Sequence, residues 1–248
     1  MGKSKNPYAK KSRMYDIEGV GSFPSVTEVL SLKDKSGPLM GWAVKMAIEC
    51  AKNSLLEVVK EGKTLDAVSI DLILTDAKAS YRKKSQEAMD TGSKVHNAIE
   101  VYTRHADKKT GLKLVQALTE YPQIEKPFNA FLEWEKERKF ELVKSEHKIW
   151  SLTHKYAGTL DCIAKLNGVM TLVDFKSSTG IREDYVQQIA AYRVAHEEIG
   201  GEKIENTGCL RLDKITGLPE WVEYSLKDND EAFEKFLCLL KLWWLEYK

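Results

Sequence analysis

Three side chains concentrate the chemistry of this sequence: Asp161 in "GTLD", and Asp174 and Lys176 in "LVDFKSS". Charged groups in strand-like, largely apolar runs are costly to desolvate, so their positions call for a reason. The segment "YAGTLDCIAKLNGVMTLVDFKSS" places Asn167-Gly168 between two strand-like runs, the strongest short-range hairpin signal. Taken as a two-residue loop, this turn pairs Leu166 with Val169 and, rung by rung outward, Asp161 with Asp174. Opposed residues in such a pair have Cβ atoms about 4.5–5.5 Å apart. Lys176 shares their face because strand side chains alternate, and it falls opposite Thr159. Ile163 and Leu172 complete that face; Leu160, Cys162, Ala164, Val173 and Phe175 form the other. Both faces carry apolar residues, so the sheet is expected to be covered on both sides. Two facing carboxylates in a half-buried place repel, and a hard divalent cation with oxygen ligands resolves the conflict. A lysine in low dielectric beside such an ion can have a lowered pKa and help deprotonate a bound water, or offset charge on a phosphate. The plainer reading of Asp-x-Lys is an exposed ion pair; the opposed acid and the apolar surroundings weigh against it.

The elements that must position these residues change character near residue 140. Before it the pattern is helical. Ser25 and Glu28 have capping-box spacing after Pro24, predicting a helix that starts near 25. "LMGWAVKMAIECAKNSLLEVVKEG" has helical periodicity and stops at Gly62. Further helix is expected over 64–89, another in "SKVHNAIEVYTRHA", and an amphipathic one in "IEKPFNAFLEWEKERKF". After it, "FELVKSEHKIWSL" reads as a strand, the hairpin follows, "EDYVQQIAAYRVAHEEIG" is a helix, "IENTGCLRLD" and "PEWVEYSL" are strands, and "DEAFEKFLCLLKLWWLEYK" closes the chain as a helix. The fold class is α/β: a central mixed β-sheet flanked by helices, with a helical N-terminal half.

The chain has 248 residues, 43% apolar and 30% charged, with a net charge of +1. That suits one globular domain and neither announces nor excludes a nucleic-acid partner, which needs a local basic patch. Lys3, Lys5, Lys10, Lys11 and Arg13 give such a local excess. The expected organisation is a basic, flexible arm over 1–14 and a single domain over 15–248, helical over 15–139 and sheet-based over 140–248. No apolar run is long enough to span a bilayer, and none follows the basic start as a signal peptide would require. Cys50, Cys162, Cys209 and Cys238 have no C-x-x-C spacing, which argues against a zinc site or redox pair.

With these residues in hand, the sequence resembles the PD-(D/E)XK nuclease superfamily in its RecB-like exonuclease branch, whose core is restriction-endonuclease-like. The branch pattern appears as "GTLD" (Gly158 to Asp161), "DFK" (Asp174 to Lys176), "QIAAY" (Gln188 to Tyr192) and, upstream, "GSKVHNAIE" with His96 and Glu100. "PSVTEVLS" followed by "GWAVKMA" is similar to phage-encoded and mitochondrial-genome-maintenance exonucleases. The resemblance implies a metal-dependent DNA exonuclease of replication, recombination or repair that uses one or two Mg²⁺ or Mn²⁺ ions. The ligands would be Asp161, Asp174, His96 and the main-chain carbonyl of Phe175, with Glu146 as a further candidate because an acid on the preceding strand often completes such sites. Imidazole ligation favours Mn²⁺. Lys176 would act on the attacking water or the phosphate. Gln188 and Tyr192 share a helical face and would fix Lys176 or contact DNA. Ser177 is a donor to phosphate or simply ends its strand. Arg82 and Lys83 are candidates for backbone contacts. Some relatives carry a four-cysteine iron–sulfur cluster; the cysteines here lack its clustering, so none is expected. His105, His147, His154 and His196 read as surface residues. The expected partner is DNA, single-stranded or with free ends, with no membrane, in the cytoplasm of a bacterium or a phage-infected host. A structure-specific endonuclease on the same core, or a non-catalytic DNA-binding module, remain as alternatives.

Overall fold

The computed structural model describes residues 14–33, 36–118 and 120–247; the basic arm expected over 1–14 lies, apart from Met14, outside them. The chain divides into two compact units, Met1–Lys33 with Val95–Lys248, and Asp34–Lys94.

The larger unit opens with a hairpin of β1 (Met14–Ile17) and β2 (Gly21–Pro24), followed by α1 (Val26–Leu30). As the capping-box spacing predicts, Ser25 caps α1, its Oγ accepting from the Glu28 N–H at 3.0 Å. After α2 (Ser36–Lys60) the long α3 (Ala67–Arg104) returns to this unit at Val95. Then come α4 (Lys108–Gln116), α5 (Tyr121–Arg138), β3 (Glu141–Ser151), β4 (Tyr156–Leu166), β5 (Val169–Lys176), α6 (Glu183–Glu198), β6 (Asn206–Leu212), β7 (Pro219–Tyr224) and α7 (Leu226–Glu246). Strands β3 to β7 form one sheet in sequence order, antiparallel throughout except for β5 and β6. A parallel neighbour needs a crossover, and α6 supplies it. The sheet is therefore mixed and flanked by helices, as the order of apolar patterns predicts.

Two apolar clusters draw on the sheet. One joins Val26 and Val29 of α1, Leu160, Ile163 and Leu172 of the strands, Ile189 of α6, and Phe236 and Trp243 of α7. The other joins Val95 and Ile99 of α3, Phe128, Phe131 and Trp134 of α5, and Cys162, Val173, Phe175 and Leu210. Burying both strand faces is what lets β4 and β5 be apolar almost throughout.

Several local expectations need correction. Helix was expected to pause between 89 and 93, yet α3 is continuous. Its Thr91 and Ser93 hydroxyls donate back to the Glu87 and Met89 carbonyls at 2.8 and 3.2 Å, so the polar "DTGS" stretch is satisfied within the helix. The β1–β2 hairpin was not anticipated. Helix α4 was not either; the Asp107 carboxylate caps it, accepting from the Lys109 and Thr110 N–H groups. His196 is fully buried rather than on the surface. Leu160 and Cys162, which strict alternation puts on one face, belong to opposite clusters. Among the described residues no helix is long and apolar enough to cross a membrane.

The Asp34–Lys94 unit consists of α2 and the first part of α3. Among its described residues it buries Met46 and Ala77, while Met40, Val44, Ile48 and Val59 are exposed.

Candidate active site

The hairpin turn has the geometry its residues demand. Asn167 and Gly168 take φ of 50° and 87°, the two positive values of a two-residue I′-type loop. Five rungs follow in the predicted register, from Leu166↔Val169 to Cys162↔Val173. Pairing stops there, one rung short of the acids. Beyond it β4 keeps its ladder with β3 (Leu160↔His147), and β5 keeps its own with β6 (Asp174↔Cys209, Lys176↔Arg211). The Asp161 carboxylate fills the break, its Oδ2 accepting from the Phe175 N–H at 2.8 Å. Asp161 and Asp174 are thus neighbours across a fork, not a ladder pair. Lys176 pairs in register with Arg211 rather than Thr159, whose Oγ1 instead meets the Tyr15 hydroxyl at 3.1 Å.

Strand β3 is interrupted at the same level. Its ladder with β4 passes from Ser145↔Cys162 to His147↔Leu160, and between them Glu146 takes a φ of 46°. A non-glycine residue in the left-handed region costs on the order of 1–3 kcal/mol and persists only where its surroundings hold it. From α3, His96 places Nδ1 3.6 Å from Asp161 Oδ1, its ring edge-on to Phe175 with centroids 6.0 Å apart. One ligand atom from each of His96, Glu146 and Asp161 lies within 4.8 Å of the others. The three line a narrow cleft with Ile99, Glu100 and Ser145.

Asp174 stands beside this trio. It is fully buried; its Oδ2 touches the Lys176 ammonium, and its Oδ1 has no hydrogen-bond partner. Burial pushes its carboxyl above the ordinary range, against the pull of Lys176 and with the push of Asp161. Burial acts on Lys176 in the lowering direction, but the carboxylates of Asp174 and Asp161 outweigh it and the ammonium is raised. Lys176 is therefore held as a cation, not as the depressed amine expected from burial alone. Glu146, although exposed, is also raised, by partial desolvation and then by Asp161.

A second set of residues surrounds Lys176. Its ammonium lies 5.1 Å from the centre of the Tyr185 ring, and the Tyr185 hydroxyl donates to Ser178 Oγ at 2.8 Å. Gln188 donates from Nε2 to the Tyr192 hydroxyl at 2.9 Å. Tyr192 is buried, and its pKa is raised by that burial and then by Asp174 and Asp161. The glycine of "GTLD" has a steric cause: a Cβ on Gly158 would come 2.7 Å from Tyr192 Cε1. Ser177 is half-buried just past β5. Arg82 and Lys83 are exposed residues of the Asp34–Lys94 unit, where Arg82 donates from Nε to the Tyr81 hydroxyl at 3.0 Å.

The donor set fits a divalent cation. Two carboxylates and an imidazole converge, and a buried carboxylate oxygen beside them lacks any donor. Glu146, the weakest candidate from sequence, enters the tight cluster, whereas Asp174 faces Lys176. Sequence reasoning passed over Tyr185 and Arg104. Tyr185 precedes Gln188 and Tyr192 at helical spacing of three and seven. Arg104 follows His96 and Glu100 at eight and four.

No protein-family description matches the chain, and no curated protein does. Among solved structures, the chain is similar to an alkaline exonuclease from Laribacter hongkongensis, with 12% identity over 60% of this chain and 87% of that one and a TM-score of 0.33. It is also similar to an exonuclease candidate from Eubacterium rectale, with 15% identity over 77% of this chain and 74% of that one and a TM-score of 0.32.

Proposed function

We propose that the chain is a metal-dependent deoxyribonuclease that hydrolyses DNA phosphodiester bonds, acting as an exonuclease on single-stranded or frayed ends. The observation that carries this reading is the convergence of His96, Glu146 and Asp161 within 4.8 Å, beside a buried Asp174–Lys176 pair. His96, Glu146 and Asp161 would hold a Mg²⁺ or Mn²⁺ ion, with Asp174 and the Phe175 carbonyl as further ligands. Such an ion lowers the pKa of bound water and stabilises charge on a phosphate under in-line attack.

The chain's own residues prepare that site. The Phe175 N–H fixes Asp161 by a hydrogen bond, and the Phe175 ring meets that of His96 in a T-shaped contact. Asp174 and the Tyr185 face hold the Lys176 ammonium; as a cation it is suited to offset charge on non-bridging phosphate oxygens and to orient a water rather than to accept its proton. Tyr192, packed against Gly158 and hydrogen-bonded to Gln188, closes the site from α6. The preference for ends rests on the resemblance of "GTLD", "DFK" and "QIAAY" to RecB-like exonucleases.

The test is incubation with linear single-stranded, linear duplex and closed circular DNA in Mg²⁺, Mn²⁺ or EDTA, beside Asp174→Ala and Lys176→Ala. The expected result is metal-dependent loss of linear substrates only, abolished in both variants. Nicking of the circle would replace the exonuclease with an endonuclease. Metal-independent cleavage, or full activity in both variants, would end the mechanism; DNA binding without cleavage in any metal would make the chain a binding module.

A further inference from the structure

A cation that the chemistry above does not use is bonded to two residues of the cleft wall, Glu100 and Ser145. Arg104 lies on the same face of α3 as His96 and Glu100, about two turns beyond the first and one beyond the second. Its Nη2 contacts Glu100 Oε1 at 2.6 Å and its Nε donates to Ser145 Oγ at 3.1 Å. Ser145 immediately precedes Glu146, so the guanidinium ties α3 to β3 at the lip of the cleft. The tie leaves Nη1 outside both contacts, and 56% of the side chain is exposed.

Its position relative to Lys176 follows from the sheet. Glu146, Asp161 and Asp174 stand on three successive strands, β3, β4 and β5, spaced about 4.8 Å apart. Lys176 lies at the β5 end of this row, and Arg104 at the β3 end. A row of acids by itself repels a polyanion; cations at its two ends would let a strand of nucleic acid lie across it. A guanidinium fork with spare N–H groups is the side chain best matched to a phosphate.

Resting on the nuclease reading, we propose that Arg104 is a substrate-positioning residue: it holds a phosphodiester flanking the one being cut and so sets the register of the strand over the acids. The tether to Ser145 and Glu100 keeps the fork aimed while a phosphate occupies its open side.

The test is steady-state cleavage of a linear single-stranded oligonucleotide by the full chain across salt concentrations, for wild type, Arg104→Ala and Arg104→Lys. It is repeated with substrates carrying one neutral methylphosphonate at each position in turn, and Mn²⁺ affinity without DNA is measured by calorimetry. Arg104→Ala should raise KM about tenfold, as loss of one charge-assisted contact does, with kcat within about twofold. Its log–log salt dependence of kcat/KM should be shallower by about 0.7, one phosphate of a single strand. A methylphosphonate at one flanking position should weaken cleavage by wild type and have no effect on Arg104→Ala. Arg104→Lys should keep the salt slope and lose part of the KM. Unchanged Mn²⁺ affinity completes the expected result. A salt slope and methylphosphonate profile identical to wild type, or a loss confined to Mn²⁺ affinity, would overturn the inference and make Arg104 a tether for Glu146. A wild type inert on every oligonucleotide overturns the nuclease reading and this inference together; a wild type that cuts, with an unaffected Arg104→Ala, overturns this inference alone.

Discussion

From Asn167-Gly168 to Cys162↔Val173 the β4–β5 hairpin pairs rung by rung, and nearly every side chain along it is apolar. One rung further the strands part, three acids and a lysine gather, and Glu146 takes a left-handed φ. The same two strands thus obey local rules at one end and break them at the other. The difference has a physical cause. At the turn Asn167-Gly168 holds the two strands together. At the fork the Asp161 carboxylate takes the Phe175 N–H, while β3 stays beside β4 at His147↔Leu160 and β6 beside β5 at Asp174↔Cys209. Parting there frees the Phe175 N–H for Asp161 and leaves Asp174 Oδ1 without a donor. Departures from local regularity of this kind persist where the surrounding structure sustains them, and they concentrate at functional sites.

If the open end carries the chemistry, substitutions there should act on activity far more than those at the turn. Asp161→Asn should reduce single-turnover DNA cleavage by at least about 10²–10³-fold, the scale of losing one preorganised electrostatic contact, while its melting curve stays within a few degrees of wild type. Activity that survives would move the chemistry away from the fork.

Lys176→Met should be the most damaging change to stability at the fork. Removing one partner of a buried ion pair costs about 3–5 kcal/mol, measurable by urea unfolding. The pH dependence follows from Asp174, whose carboxyl is raised above 3.8 by burial and rises further without its cation. A raised carboxyl favours the protonated form in the folded state. Its contribution is therefore most favourable below 3.8 and is lost as pH climbs through the raised value. Lys176→Met should accordingly be less destabilised, relative to wild type, at pH 5 than at pH 8. Equal loss at both values would mean that Asp174 is not charged and alone in the variant.

Gly158→Ala tests the packing that joins α6 to the fork. Its new Cβ would meet the Tyr192 ring at 2.7 Å, an overpacking cost of about 1–3 kcal/mol. Adding Tyr192→Leu should recover part of that stability but not the activity. The smallest effect belongs to the turn. Gly168 has φ of 87° and open space around its missing Cβ, so Gly168→Ala should cost about 1–2 kcal/mol of stability by strain alone and leave cleavage per folded molecule unchanged. A loss of activity there would show that the two ends of the hairpin are not independent.

The contrast also explains what could be read from sequence. Asn167-Gly168 fixed the register in advance because turn conformation is local and few residues tolerate it. That Asp161 and Asp174 would meet followed from the register; that they would meet across a fork did not, because the fork rests on a side-chain hydrogen bond between strands, Phe175 N–H to Asp161, which no local pattern records. Nor does a local pattern record the switch of faces between Leu160 and Cys162 or the φ of Glu146. His96 stood out by resemblance rather than by its own periodicity, since it lies at the edge of the apolar stripe of Val95, Ala98, Ile99 and Tyr102. Tyr185 and Arg104 carry the same helical spacing signal as the residues beside them, but an aromatic or an arginine on a helix usually has an ordinary packing or surface role, and only the contacts with Lys176, Ser145 and Glu100 distinguish them.

The central claim is that the fork binds a divalent cation through His96, Glu146 and Asp161. Calorimetric titration of Mn²⁺ into the full chain tests it most directly, with Asp161→Asn and Gly168→Ala alongside. Saturable binding that is retained in Gly168→Ala and lost in Asp161→Asn is the predicted result. Binding undiminished in Asp161→Asn, or no binding to wild type, would contradict it.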